Sequence, residues 1–266
     1  MSKFTDQQYL TTDQYKDASN LDARLEIHRR FSTNPYGWFN WVFDTLAKLP
    51  KNANVLELGT GSGALWTNIA SKIPVTWNIT LSDLSQGMLD AAWRNLVVTG
   101  RNFKFEQVDA QSIPYADETF DIVIANHMLY HVPDRPKALA EIKRVLKKGG
   151  HLIATTGGVA HMKEITDWLR RADSNYDFSP FILPFTLENG MEQLEKVFSK
   201  VTSSRYEDSL QVTDVDLLIA YLRSAIRASE VSEDDLAKVK IDLEKELKQR
   251  GSIFISKDSG LFEAIK

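Results

Sequence analysis

The chain contains no cysteine, which excludes disulfides, thiolate metal centres and a cysteine nucleophile. It has no run of 18 apolar residues, and so no segment able to cross a bilayer as a helix. The opening MSKFTDQQYLTTDQ is too polar for a secretory signal, and a cytoplasmic protein is expected. No block of lysine and arginine appears, and a net charge of −4 supplies no basic field for a nucleic-acid partner. Internal repeats and low-complexity tracts are absent too. Two catalytic signatures fail: the HExxH zinc motif needs glutamate where Met128 stands, and a GxSxG elbow is ruled out because Ser62 has glycine directly on both sides. No metal site is expected.

What remains has ordinary globular composition. Hydrophobic residues make up 43% and charged residues 26% of 266 positions, enough for one sizeable core with embellishments. Between 54 and 154, short β-rich runs alternate with helical patterns, the sequence form of a parallel sheet with crossover helices. Five strands are predicted, at 55–58, 77–82, 103–108, 121–125 and 151–155. The runs VLEL and DIVIA lack polar alternation, as central strands covered on both faces do. Lys147, Lys148, Gly149 and Gly150 read as the close of the helix before the fifth strand, the cations complementing its dipole.

The flanks differ in character. A helical pattern spans 21–31, and Asn34-Pro35 reads as the start of a second helix. Six aromatics, Phe31, Tyr36, Trp38, Phe39, Trp41 and Phe43, crowd this region. They either pack a helix onto the sheet or form a cover over a pocket, where aromatic faces suit a cation or a flat ligand. Beyond Gly158 the alternation breaks for about forty residues before a strand candidate at 201–206. Helices follow at 215–227 and 232–250, the second signed by Ser232 as N-cap, apolar Leu236, Val239, Leu243 and Leu247, and Gly251 beyond its end. Lys257-Asp258-Ser259-Gly260 reads as a turn into a last strand. The expected organisation is one domain: a helical cover (1–50), a ligand-binding core (51–158), a substrate-side insertion (159–200) and C-terminal strands and helices (201–266).

Chemistry enters at VLELGTGSGAL, where Gly59, Gly61 and Gly63 interrupt an apolar run at every second position. Glycine lets the chain turn tightly and a ligand approach the backbone, beside the free N–H groups of the following helix. The second strand ends in Asp83, placed to accept both hydroxyls of a ribose. The third ends in Asp109, able to accept from an adenine amino group. Ligands of open parallel sheets bind outside the carboxyl ends of the strands, where these groups converge.

Three segments, ELGTGSG, LSDLSQGMLDAA and VDAQSIPYADETFDIVIANHMLYHVPD leading into ALAEIKRVLKKGG, occur in one order over about 110 residues. In this the chain resembles the class I S-adenosylmethionine-dependent methyltransferases, in particular the small-molecule branch that includes the ubiquinone and menaquinone biosynthesis enzymes. The resemblance implies an α/β, Rossmann-like, doubly wound and mostly parallel seven-stranded sheet, its antiparallel C-terminal strand inserted beside the fifth. It implies S-adenosyl-L-methionine as cofactor. Glu57 and the backbone of Gly59, Thr60, Gly61 and Gly63 would hold the methionine portion, and Asp83 the ribose. Leu84 and Met88 would flank the adenine, Asp109, Ala110 and Gln111 would meet its amino edge, and Asn126 would lie beneath the methionine carboxylate. Tyr15 would close over the cofactor.

Methyl transfer asks mainly for alignment, and a base is needed only if the nucleophile must lose a proton. His127 and His131, just beyond the fourth strand, are the candidates for that base, with packing the alternative for each and His131 preferred. The acceptor is expected to be a small molecule. The insertion's Trp168, Tyr176, Phe178, Phe181 and Phe185 suggest an apolar or aromatic one, or simply a packed core. A dinucleotide oxidoreductase also fits the glycines and Asp83, but it predicts neither Asp109 nor the terminal LFEAI strand. A cofactor-binding scaffold without turnover is the third reading. Protein or nucleic-acid methylation is disfavoured by the missing Asn-Pro-Pro-Tyr or Asp-Pro-Pro-Tyr segment after the fourth strand.

Overall fold

The computed structural model describes residues 2–173, 182–225 and 231–266. Its strands are β1 (Ala53–Leu58), β2 (Trp77–Asp83), β3 (Lys104–Gln107), β4 (Phe120–Asn126), β5 (Leu146–Gly157), β6 (Lys200–Val212) and β7 (Ile253–Ile265). They form one sheet in the order β3-β2-β1-β4-β5-β7-β6. β7 alone runs against its neighbours, between β5 and β6. The expected architecture, with an antiparallel C-terminal strand beside the fifth, is the one found.

Helices α1 (Gln7–Tyr9), α2 (Ser19–Phe31) and α3 (Trp38–Leu46) precede the sheet. Helices α4 (Ala64–Ile69), α5 (Gln86–Leu96) and α6 (Arg135–Val145) connect its parallel strands, and α7 (Lys163–Ala172), α8 (Gly190–Glu195), α9 (Val215–Ser224) and α10 (Glu233–Arg250) complete the chain. The unbroken apolar runs work as central strands because successive side chains face opposite sides. Val55, Ile122, Ile124 and Ile153 pack with α3 and α4 on one face, whereas Leu56, Leu58, Val123, Ala125 and Ala154 pack with α6 and α8 on the other. Each fully buried aliphatic side chain contributes roughly 1.5–3 kcal/mol.

A third cluster sits beyond the sheet's carboxyl edge. β7 pairs with β6 along all 13 residues, but with β5 only as far as Ser259 opposite Gly157. Residues 253–258 therefore overhang, and Ile253, Ile255 and Leu210 of this ribbon are enclosed by α2, α7, α9 and α10.

Four local expectations are corrected. Lys257 to Gly260 form no turn: the segment is continuous strand, because cross-strand pairing with β6 runs straight through it. Helix α6 stops at Val145 rather than at Gly149-Gly150, since Leu146 already pairs with Phe120. Lys147 there meets both carboxylate oxygens of Asp121 at 2.8 Å instead of the helix end. Helix α3 begins at Trp38, because Asn34 Oδ1 accepts from the Tyr36 N–H and holds Asn34-Pro35 in a turn. Helix α9 ends at Ser224, and Arg227, with Tyr176, Phe178 and Phe181, lies outside the described residues. Of the six aromatics, Phe31 and Phe43 are core, Trp41 packs against the core's edge, Trp38 and Phe39 do so while lining a chamber, and Tyr36 fits neither reading, being exposed. Among the described residues no helix is long and apolar enough to cross a membrane, and no cluster of acids and histidines could hold a metal.

Candidate active site

A chamber of about 940 Å³ opens at the carboxyl ends of β1, β2 and β4. The turn from β1 into α4 forms its edge. Gly59, Gly61 and Gly63 have φ of 70°, 56° and 76°, left-handed values that favour glycine. A Cβ on Gly59 would lie 2.7 Å from that of Met128, and one on Gly61 would lie 2.8 Å from Leu21 Cδ2. The turn is thus gripped from both sides, its backbone facing the chamber.

Asp83 braces this turn. One carboxylate oxygen accepts from the Gly61 N–H and the other from the Ser85 N–H, both at 2.9 Å. Burial raises its pKa, while those N–H groups and that of Leu84 oppose the shift. Each oxygen keeps a lone pair for a ligand hydroxyl. Glu57 lies beneath the turn, 1% exposed, with one oxygen accepting from Thr60 Oγ1 and Trp66 Nε1 at 2.6 Å each. Desolvation pushes its pKa up to about 7, against both hydrogen bonds. Its carboxylate holds the turn together and does not line the chamber.

The remaining residues expected at the cofactor divide the same way. Tyr15, Gly59, Thr60, Gly61, Asp83, Leu84, Met88, Asp109, Ala110 and Asn126 all line the chamber. Gly63 and Gln111, like Glu57, stand behind it. Gln111 donates from its backbone and side chain to Asp109 while accepting from the Asp134 N–H, which fixes the Asp109 carboxylate. Asn126 Oδ1 accepts from Thr155 Oγ1, and that hydroxyl oxygen accepts in turn from the His127 N–H at 3.0 Å.

The two histidines are not equivalent. Nδ1 of His131 lies 2.8 Å from the Phe4 carbonyl oxygen, which can only accept, so the ring proton sits there. Nε2 then accepts from the Tyr15 hydroxyl at 3.0 Å. Both nitrogens are therefore engaged in tying the N-terminal segment to the core. His127 has φ of 52° and packs with its ring centroid 5.4 Å from that of Trp38 at a tilt of 50°, and among the described residues neither of its ring nitrogens has a hydrogen-bond partner. Burial holds both imidazoles down to a pKa of about 4 and neutral at pH 7, with Lys257 adding to the effect at His127.

Sequence reasoning missed most of the N-terminal clasp. Gln7 Nε2 donates to Asp109 at 3.3 Å, Ser85 Oγ donates to the Tyr15 carbonyl at 2.6 Å, and Arg24 lies over the Tyr15 ring. Gly87 admits this clasp: a Cβ there would fall 1.8 Å from the Lys16 carbonyl oxygen. Glycine near the start of an otherwise good helix, LSQGMLDAA, was the available signal.

Residues 56–154 match the family model described as a methyltransferase domain. The ubiquinone/menaquinone biosynthesis C-methyltransferase UbiE of Haemophilus ducreyi is 34% identical over 150 residues, 55% of each chain. The chain thus spans about half the length of the curated relatives it matches. Among solved structures, phosphoethanolamine N-methyltransferase 2 of Haemonchus contortus, complexed with phosphomonomethylethanolamine and S-adenosylhomocysteine, superposes with a TM-score of 0.61 at 20% identity. It covers all of this chain and 60% of its own. A methyltransferase-like structure from Bacillus halodurans gives 0.58 at 18% identity, covering 86% of this chain and 98% of its own. At such identities the likeness is one of fold. The left-handed turn, the paired acids and the apolar Leu84 and Met88 form a cradle whose chemistry fits S-adenosylmethionine.

Proposed function

We propose that this chain transfers a methyl group from S-adenosylmethionine to a small-molecule acceptor bound in the same chamber. One observation carries the reading: the glycine turn, Asp83 and Asp109 open into one continuous cavity with His127 and Trp38. Its volume stands near the upper end of the roughly 300–1,000 Å³ usual for small-molecule sites, which suits two ligands side by side. In this proposal residues 51–158 hold the cofactor, and 1–50, 159–200 and 201–266 shape the space for the acceptor.

When bound, the cofactor supplies an activated methyl on a sulfonium. The chain's own residues hold and align. Asp83 accepts from the ribose hydroxyls, Leu84 and Met88 enclose the adenine, Asp109 and Ala110 take its amino edge, and the Gly59–Gly61 backbone with Asn126 takes the methionine end. Tyr15, locked by His131, closes the N-terminal clasp and excludes water. Alignment of this kind contributes roughly 7–11 kcal/mol. His127, neutral and with ring nitrogens unengaged, receives a proton from the acceptor where the nucleophile carries one. This moves the general-base role from His131, whose two nitrogens serve the clasp, to His127.

The test is calorimetric titration with S-adenosylhomocysteine and, separately, with NAD, followed by incubation of a metabolite extract with methyl-labelled cofactor and mass analysis of the product. Binding of NAD alone would overturn the proposal. Tight S-adenosylhomocysteine binding with no labelled product from any extract would leave a cofactor-binding scaffold.

A further inference from the structure

Thr155 stands in β5 directly beside Asn126, its register partner at the end of β4, and it is fully buried. Packing alone does not ask for its hydroxyl. Valine has nearly the same shape, and a hydroxyl taken out of water is costly unless its hydrogen-bonding functions are met. Here both are: the oxygen accepts from the His127 N–H at 3.0 Å, and the hydrogen goes to Asn126 Oδ1.

These two bonds fix the direction of the Asn126 carboxamide. The His127 N–H can only donate, so the hydroxyl must place its own hydrogen elsewhere, and among the described residues Asn126 is its other partner. With the amide turned over, Thr155 Oγ1 would meet two N–H donors and keep a buried hydrogen without an acceptor. The carbonyl end of Asn126 is therefore held against Thr155, and the amino end is left for another partner. Nδ2 donates to no group among the described residues yet retains accessible surface, and Asn126 lines the chamber. Because Ala125 pairs with Leu58, Asn126 comes level with Gly59 and the start of the glycine turn. The same threonine anchors the next residue: its carbonyl oxygen also accepts from the His127 N–H, at 3.2 Å, where the chain takes its left-handed φ of 52°.

Resting on the methyl-transfer reading, we propose that Thr155 is a positioning residue whose hydroxyl sets the Asn126 carboxamide donor-first toward the chamber, so that the site receives the carboxylate of the cofactor's methionine end and turns away its ammonium. An N–H donor offered to a carboxylate makes a charge-assisted hydrogen bond. A turned-over amide would set a carbonyl oxygen against the same group.

The full-length protein is titrated calorimetrically with S-adenosylhomocysteine and with its decarboxylated analogue, which keeps the ammonium and lacks only the carboxylate. Thr155→Val should weaken S-adenosylhomocysteine about tenfold while the analogue changes by less than about twofold, and Thr155→Ser should restore the wild-type values. Thr155→Ala should show the same split even if Thr155→Val fails to fold. Asn126→Asp, which still accepts from Thr155 but presents a negative charge instead of a donor, should weaken S-adenosylhomocysteine and spare the analogue. Equal wild-type affinity for the two ligands, a parallel loss of both or no loss of either in the valine and alanine variants, or wild-type S-adenosylhomocysteine affinity in Asn126→Asp overturns the proposal. Failure of the wild-type protein to bind S-adenosylhomocysteine refutes instead the methyl-transfer reading.

Discussion

At the end of the chamber proposed for the cofactor, all the lining residues named above except Tyr15 lie at or just after a strand end: Gly59–Gly61 after β1, Asp83–Met88 at and after β2, Asp109 and Ala110 after β3 and Asn126 at the end of β4. At the end proposed for the acceptor, His28, Trp38, His127, His161, Tyr221 and Lys257 come from separate parts of the chain and are brought to one chamber by the β6–β7 overhang and the helices packed on it. The first arrangement depends on local backbone geometry imposed by glycine and by strand ends. The second depends on long-range packing. On the proposed reading, a compact motif would specify the methyl donor while the acceptor would be decided by segments that share no motif.

If the two ends are separable in this way, substitutions should split cofactor affinity from turnover. The largest effect is expected at His127, where asparagine accommodates the left-handed φ but removes the imidazole. His127→Asn should lower kcat by roughly 10²–10⁴-fold while S-adenosylhomocysteine affinity stays nearly constant. Unchanged turnover would return His127 to a packing role against Trp38. Gly59→Ala should do the reverse and damage the cofactor end and the fold together. Its positive φ and the 2.7 Å approach to Met128 predict a loss of about 3 kcal/mol in denaturant unfolding. Wild-type stability in that variant would show that the turn is not gripped as described.

Glu57 provides a pH test confined to the cofactor end. Its folded pKa of about 7 lies above the ordinary carboxylate value, so the folded state holds the proton more tightly. Its contribution is present in full below the unfolded pKa and is lost as pH rises through 7. The histidines act oppositely: His127 and His131, held down to about 4, contribute above pH 6.5 and withdraw that contribution as pH falls. Subtracting the Glu57→Gln profile from wild type isolates the carboxyl group. The variant should be more stable at pH 8 by about 2 kcal/mol, with the difference shrinking toward pH 5. A difference independent of pH would mean that Glu57 is ionised throughout. The smallest effect belongs to the clasp joining the two ends. Tyr15→Phe removes one hydrogen bond to His131 and should loosen residues 2–15 by about 1 kcal/mol, seen as faster amide exchange. Unaltered protection would detach Tyr15 from closure.

Most of the sheet was legible because strand character is written locally. The runs around Val55 and Ile122 carry no polar alternation, and a central parallel strand needs none. The glycine turn and Asp83 were legible for the same reason, since a left-handed φ excludes most side chains and a strand-terminal acid has a fixed neighbourhood. The misplaced turn at Lys257–Gly260 shows the limit. Its composition is turn-like, but thirteen rungs with β6 hold it straight, and the partner strand lies some fifty residues away in sequence. The exchange of roles between His127 and His131 has a similar origin. The two rings sit in one short segment, and only Phe4 and Tyr15, brought in from the N-terminus, distinguish them.

The sequence by itself determined the fold class and the glycine-and-acid cradle in which we propose the methyl donor binds, because these follow from residues near one another along the chain. The tertiary structure alone decided that Asp83 and Asp109 line the chamber while Glu57 lies behind it, that His131 is engaged by Phe4 and Tyr15 while His127 is not, and that residues from distant segments line one chamber. These depend on where distant segments come to rest, a matter of side-chain packing and of buried polar groups finding partners, which no local pattern encodes.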